Sequence, residues 1–264
     1  MPVHPDLLLA RLDALAYAVR DTGQALALIG LGSAGVERTR MDAYSDLDFY
    51  VIARPGTKAR FIHQLDWIEA VGPIGYGVQN SPIGWKILYQ DGVFLEYAIF
   101  EPDEMANVHF AEGYLVWHDP EFDLALATPH LPERGNRLED TIPWKLGEIL
   151  TNLYVGLLRY HRGEKLSAAR FIQGYAVDRI LELAPHLAPH LEASQPVHAD
   201  PFQPERRVEK RFPTLANHLP QFVPGYLHTL QAARAILIFL EQHFEVNPFM
   251  KSAILALCDQ DARG

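Results

Sequence analysis

Residues 30–51 read Gly30-Leu31-Gly32-Ser33-Ala34-Gly35-Val36-Glu37-Arg38-Thr39-Arg40-Met41-Asp42-Ala43-Tyr44-Ser45-Asp46-Leu47-Asp48-Phe49-Tyr50-Val51. Asp46 and Asp48 stand one residue apart at the mouth of the apolar run Phe49-Tyr50-Val51-Ile52. Side chains alternate along a strand, so the two carboxylates are expected on one face. Like charges held that close repel, and a divalent cation is the simplest partner to relieve them. Upstream, the apolar run Ala25-Leu26-Ala27-Leu28-Ile29 leads into the small-residue turn Gly32-Ser33. Such a turn can bring backbone N–H groups close to a phosphate. A phosphate cradle beside paired carboxylates points to metal-assisted chemistry on a nucleotide.

Working outward, Leu7, Leu8, Leu12, Leu15 and Val19 recur at helical spacing, so a helix is predicted over 6–20, with Asp6 as its cap and Thr22-Gly23 as its end. Strands are predicted over 24–31 and 47–53, the second stopped by Arg54-Pro55-Gly56. The polar stretch 34–44 between them reads as a short helix or a loop. A helix over 57–70 follows and breaks near Gly72-Pro73. Two strands, 84–90 and 93–100, are joined by Gln90-Asp91-Gly92, a hairpin signal, and another is expected at 114–118.

The segment Leu131–Arg137 reads as a linker, after which the pattern changes. Leu146, Ile149, Leu150, Leu153, Leu157 and Leu158 keep helical spacing, as do Leu166, Phe171, Ile172, Tyr175, Ile180 and Leu181. Proline-rich 185–204 reads as a loop, with helices near 205–219, 225–245 and 247–260. The expected architecture is α+β in front, over 1–135, and all-α behind, over 136–264.

Composition bounds the function. The 264 residues are 48% apolar and 21% charged, an ordinary globular balance. A net charge of −10 argues against a general nucleic-acid binder, though not against a nucleotide, which needs only a local cluster. The one cysteine, Cys258, allows no internal disulfide, and it reads as core filler in a reducing cytoplasm. No run reaches the roughly 18 apolar residues of a membrane span, so no membrane partner is expected. The 12 histidines show no paired metal-ligand spacing, which discounts zinc.

Gly32-Ser33, then twelve residues, then Asp46-Leu47-Asp48, then Glu96 within the apolar run 93–100, resembles the nucleotidyltransferase superfamily with the DNA polymerase β-like palm. The helical second half is similar to that of lincosamide and aminoglycoside nucleotidyltransferases. The motif likeness covers roughly residues 28–100 and is architectural beyond them. The resemblance implies a palm with a mixed, mostly antiparallel sheet and helices on one side, followed by a helical bundle, with substrate held between the two domains. It implies that Asp46 and Asp48 hold one or two Mg²⁺ ions and that Gly32 and Ser33 receive the β- or γ-phosphate of ATP or another NTP. Hard Mg²⁺ takes one or two carboxylates plus phosphate and water oxygens, which agrees. Glu96 then either completes the metal site or serves as general base toward a hydroxyl of a small acceptor. Arg38, Arg40 and Lys86 are weaker candidates for the triphosphate. Lys145, Asn152 and Arg159 share a helix face that lines a cleft or meets solvent. Arg206, Arg207, Lys210 and Arg211 read as a phosphate cluster or a solvated face. A homodimer stays open.

Two other readings compete. Gly30-Leu31-Gly32-Ser33-Ala34-Gly35 also fits the Gly-x-Gly-x-x-Gly of a dinucleotide-binding fold, which would require a parallel doubly wound sheet. A regulatory, antitoxin-type relative of the nucleotidyltransferases, acting on or masking a protein partner, is the third. The long helical half favours a small-molecule substrate over that.

Overall fold

The computed structural model describes residues 3–110, 113–128, 139, 141–187, 200 and 203–260. The linker expected at 131–137 lies outside them, as does most of the loop expected at 185–204. The chain divides into two compact units, Met1–Glu133 and Arg134–Gly264. No helix among the described residues is long and apolar enough to cross a membrane.

The first unit is a mixed α+β body. Helix α1 (Pro5–Asp21) leads to β1 (Ala25–Leu31) and, after two 3₁₀ turns at Gly32–Ala34 and Arg38–Arg40, to β2 (Leu47–Ala53). Then come α2 (Lys58–His63), α3 (Asp66–Glu69), β3 (Ile74–Ser81), β4 (Gly84–Tyr89), β5 (Phe94–Phe100) and β6 (Tyr114–His118). The sheet order is β3-β4-β5-β2-β1-β6, and β2–β5 is its one parallel pairing among the described residues. The α+β reading of this half therefore stands, with a mixed, mostly antiparallel sheet. The parallel doubly wound alternative does not, because β1 runs antiparallel to both of its neighbours and 3₁₀ turns follow the glycines where a helix should start.

One face of the sheet is covered by helices. Leu8, Leu12, Leu15 and Val19 of α1, with Phe61, Ile62, Trp67 and Ile68, pack on Leu28, Leu47, Phe49, Val51, Leu95, Tyr97 and Ile99. Here two expectations are corrected. His4, not Asp6, caps α1: its Nδ1 accepts from the Asp6 N–H at 3.2 Å, and Pro5 takes the first helical turn, where no N–H is needed. The helix expected over 57–70 is two pieces, with Gln64 extended between them. A straight helix would turn Trp67 about 120° away from Phe61. The break lets Phe61, Ile62, Trp67 and Ile68 all reach the core.

The second unit is helical in its described residues: α4 (Ile142–His161), α5 (Lys165–Arg170), α6 (Ala176–Leu183), α7 (Val208–Arg211), α8 (Pro213–Ala216), α9 (Leu219–Phe222), α10 (Thr229–His243) and α11 (Pro248–Asp259). A π turn at Phe171–Tyr175 joins α5 to α6. Ile149, Leu153 and Leu157 of α4 meet Ile172, Ile180, Ile236, Leu240 and Ile254 in one core. The single helix expected over 205–219 is instead a string of four-residue turns. Pro213 and Pro220 cannot donate within a helix, and each opens a new turn, with Phe212 pushed to φ −134° and ψ 69°.

Candidate active site

The second face of the sheet is divided. Toward one end, Leu26, Ile29 and Ile52 pack against Met105, Phe110 and Phe122 from the segments after β5 and β6. Toward the other end, where β1 finishes and β2 and β5 begin, the same face turns polar. Register sets Leu31 beside Asp48, Asp48 beside Glu96, and Glu96 beside Lys86. Partners in register share a face, and neighbouring strands lie about 4.7–4.9 Å apart. Asp48 and Glu96 are thus brought together from distant parts of the chain.

Both oxygens of Glu96 are engaged. Asn80 Nδ2 donates to Oε1 at 2.8 Å, and Lys86 Nζ pairs with Oε2 at 3.1 Å. Tyr50, two residues along the same face from Asp48, records the charge of this row. Its phenol is raised above the ordinary value by burial first, then by Asp48, then by Glu96. Asp46 lies just ahead of β2, not within it, and its carbonyl accepts from Ser33 Oγ at 3.5 Å. The strand-alternation argument therefore covers Asp48 and fails to place Asp46.

The turn between β1 and β2 folds back tightly. Gly32 sits at φ 51°, in the left-handed region. A Cβ on Gly30 would lie 2.3 Å from the Ala34 carbonyl oxygen, and one on Gly35 would lie 2.6 Å from the carbonyl oxygen of Gly30. Those two glycines serve close backbone approach, which accounts for the spacing that imitates a dinucleotide fingerprint. Ser33 is buried beneath the turn.

The three candidate cations part ways. The Arg38 guanidinium lies 3.9 Å from the centroid of the Tyr114 ring, and its enclosed Nε and Nη2 have no hydrogen-bond partner among the described residues. Arg40 is drawn into its own loop, its Nε 2.6 Å from Glu37 Oε2. Lys86 is tied to Glu96.

Residues outside the motif have local work. Lys145 is buried, and Arg159 donates to Ser167 and lies over the Phe171 ring, so Arg159 is engaged within its own unit. Arg206 and Arg207 both face Asp200, at 3.1 and 4.0 Å. Among the described residues no group of three or more His, Cys, Asp or Glu gathers to hold a metal. The donor set on the polar row suits a hard cation that takes one or two carboxylates and draws its other oxygens from phosphate and water.

Sequence reasoning missed Asn80, because it missed β3 altogether. The signal was there: Ile74, Tyr76 and Val78 alternate with Gly75, Gly77 and Gln79. Tyr114, the platform under Arg38, lies on β6, and in the sequence it shows only as a strand residue.

No family model and no curated protein matches this chain. Among solved structures it is similar to an aminoglycoside 6-adenyltransferase from Bacillus subtilis, with a TM-score of 0.35 and 12% identity, over 95% of this chain and 96% of that chain.

Proposed function

We propose that the polar row is the active site of a Mg²⁺-dependent nucleotidyltransferase. It moves a nucleoside monophosphate, AMP from ATP, to a hydroxyl of a small molecule such as an aminoglycoside or lincosamide, and releases pyrophosphate. The observation that carries the reading is the parallel register that sets Asp48 beside Glu96 on the polar end of one sheet face. The glycine turn that ends at Asp46 supports it, since it brings backbone and Ser33 next to the same strand start.

In this reading Asp46 and Asp48 hold Mg²⁺, which when bound neutralises phosphate charge and polarises the α-phosphorus. The chain's own groups do the rest. Gly32 and Ser33 seat the terminal phosphates. Arg38 offers two enclosed donors without a partner among the described residues, a costly state that a phosphate oxygen would relieve. Glu96 accepts the proton of the acceptor hydroxyl or adds a ligand to the metal.

The test is a screen of nucleoside triphosphates against hydroxylated acceptors by pyrophosphate release, with calorimetric titration of Mg²⁺ and ATP. Absence of binding by either, alone or together, sinks the reading. Glu96→Gln separates its two roles. As a base it keeps Mg²⁺–ATP binding while the rate falls roughly 10²–10⁴-fold. Loss of that binding makes it a metal ligand.

A further inference from the structure

The β3–β4 hairpin carries two side chains that converge on Glu96, although nothing in the folding of the sheet demands either. Lys86 is its cross-strand neighbour on β4. Asn80 comes from β3, one strand further out. Its route is a β-bulge: Gln79 pairs with Trp85 and Ser81 with Gly84, which leaves Asn80 as the extra residue. A bulge bends the strand and re-aims a side chain, and Asn80 Nδ2 arrives 2.8 Å from Glu96 Oε1. Lys86 Nζ takes the other oxygen at 3.1 Å.

One donor on a carboxylate leaves the group free to turn about its last bonds. Two donors on separate oxygens, anchored on different strands, fix both its position and its plane. The Lys86 and Glu96 side chains are each 41% exposed, and a pair so exposed contributes little to stability. The arrangement is therefore better explained by what it does to the direction of the carboxylate than by what it adds to the fold.

We propose that Asn80 and Lys86 form a two-point brace that aims the Glu96 carboxylate, so that the β3–β4 hairpin is a positioning element of the reaction. The kinetic part rests on the nucleotidyl-transfer reading; the brace itself does not. Lys86 then serves Glu96 and not the triphosphate, and Asn80 is a positioning residue that touches no substrate.

The experiment has two arms. In the first, the Asn80 side-chain amide is followed by ¹H–¹⁵N NMR in the full chain. Its resonances shift in Glu96→Ala, which removes the acceptor; unchanged resonances overturn the brace. In the second, pyrophosphate release is measured with Mg²⁺–ATP and whichever acceptor turns over in the screen. Asn80→Ala and Lys86→Met each lower kcat about 10–100-fold, on the scale seen for groups that orient metal ligands, with KM for ATP moving only as it moves in Glu96→Gln. Lys86→Arg recovers most of the rate. In a Glu96→Gln background, Asn80→Ala has no further effect. A rise in KM for ATP in Lys86→Met that Glu96→Gln does not share, or an undiminished Asn80→Ala effect in the Glu96→Gln background, overturns the proposal. If wild-type protein turns over no acceptor, the transfer reading falls while the NMR arm still decides the brace.

Discussion

The two faces of the sheet in the first unit use the same strands for opposite ends. On β5, Leu95, Tyr97 and Ile99 enter the helix-covered core, while Phe94, Glu96, Ala98 and Phe100 look the other way. On β2, Leu47, Phe49 and Val51 are fully buried against helices, and Asp48 faces its register partner Glu96. One residue of register shift would exchange the two sets. The apolar face therefore holds the carboxylates in place: any slip that freed them would put Phe49 and Tyr97 into water. Lys86 offsets the charge of Glu96, and the opposite face locks the strands that set Glu96 beside Asp48.

The sharpest break between the faces is Asp48→Asn. It keeps size and removes charge, so Mg²⁺–ATP binding and pyrophosphate release are expected to vanish together, while the thermal midpoint holds or rises slightly as repulsion is relieved. Retained turnover would mean the chemistry is not on this face. Phe49→Ala, one residue away, should do the reverse. It empties a stacked position against Tyr97, whose ring centroid is 5.4 Å distant, and is expected to cost about 3–5 kcal/mol in denaturant unfolding. Activity per folded molecule should survive.

Smaller effects refine the contrast. Tyr97, whose ring lies against those of Phe49 and Trp67, carries a buried hydroxyl with no hydrogen-bond partner among the described residues. Tyr97→Phe should leave stability unchanged or raise it by up to about 1 kcal/mol, since an unsatisfied polar group is removed from the core. A clear loss would show that the hydroxyl has a partner. The subtlest test is titration. Both Tyr97 and Tyr50 have phenols raised by burial, but only Tyr50 also feels Asp48 and Glu96. Its contribution to stability is complete below its unfolded value of 10.0 and is lost as pH rises through the higher folded value. Asp48→Asn should lower the Tyr50 phenol toward its ordinary value, shrink that alkaline loss, and leave Tyr97 unmoved, as read by the ¹³Cζ shifts.

Much of this was legible in the sequence, for a specific reason. The runs Ala25–Ile29, Phe49–Ile52 and Val93–Phe100 are apolar and bounded by turn residues, so β1, β2, β5 and the β4–β5 hairpin could be placed within a residue or two. Edge strand β3 escaped because its glycines and exposed tyrosine look like a loop, and its pairing partner lies in the next hairpin strand. The glycine pattern at 30–35 was ambiguous because close backbone packing and pyrophosphate cradling ask for the same residue. Side-chain partnerships lay beyond sequence: that Lys86 meets Glu96, or that Arg38 lies over Tyr114, depends on strand order, which residue types do not encode.

The parallel pairing of β2 with β5 bears on how the molecule comes to be. Hairpins such as β4–β5 can close early, because their strands meet after a short loop. The pair β2–β5 joins positions forty-eight residues apart, so closing it costs more chain entropy than closing a hairpin. Asp48 and Glu96 therefore come together through a non-local contact, which no hairpin of this sheet supplies by itself. A nascent chain extended only through β2 already carries Asp46 and Asp48 but not the strand that sets Glu96 beside Asp48.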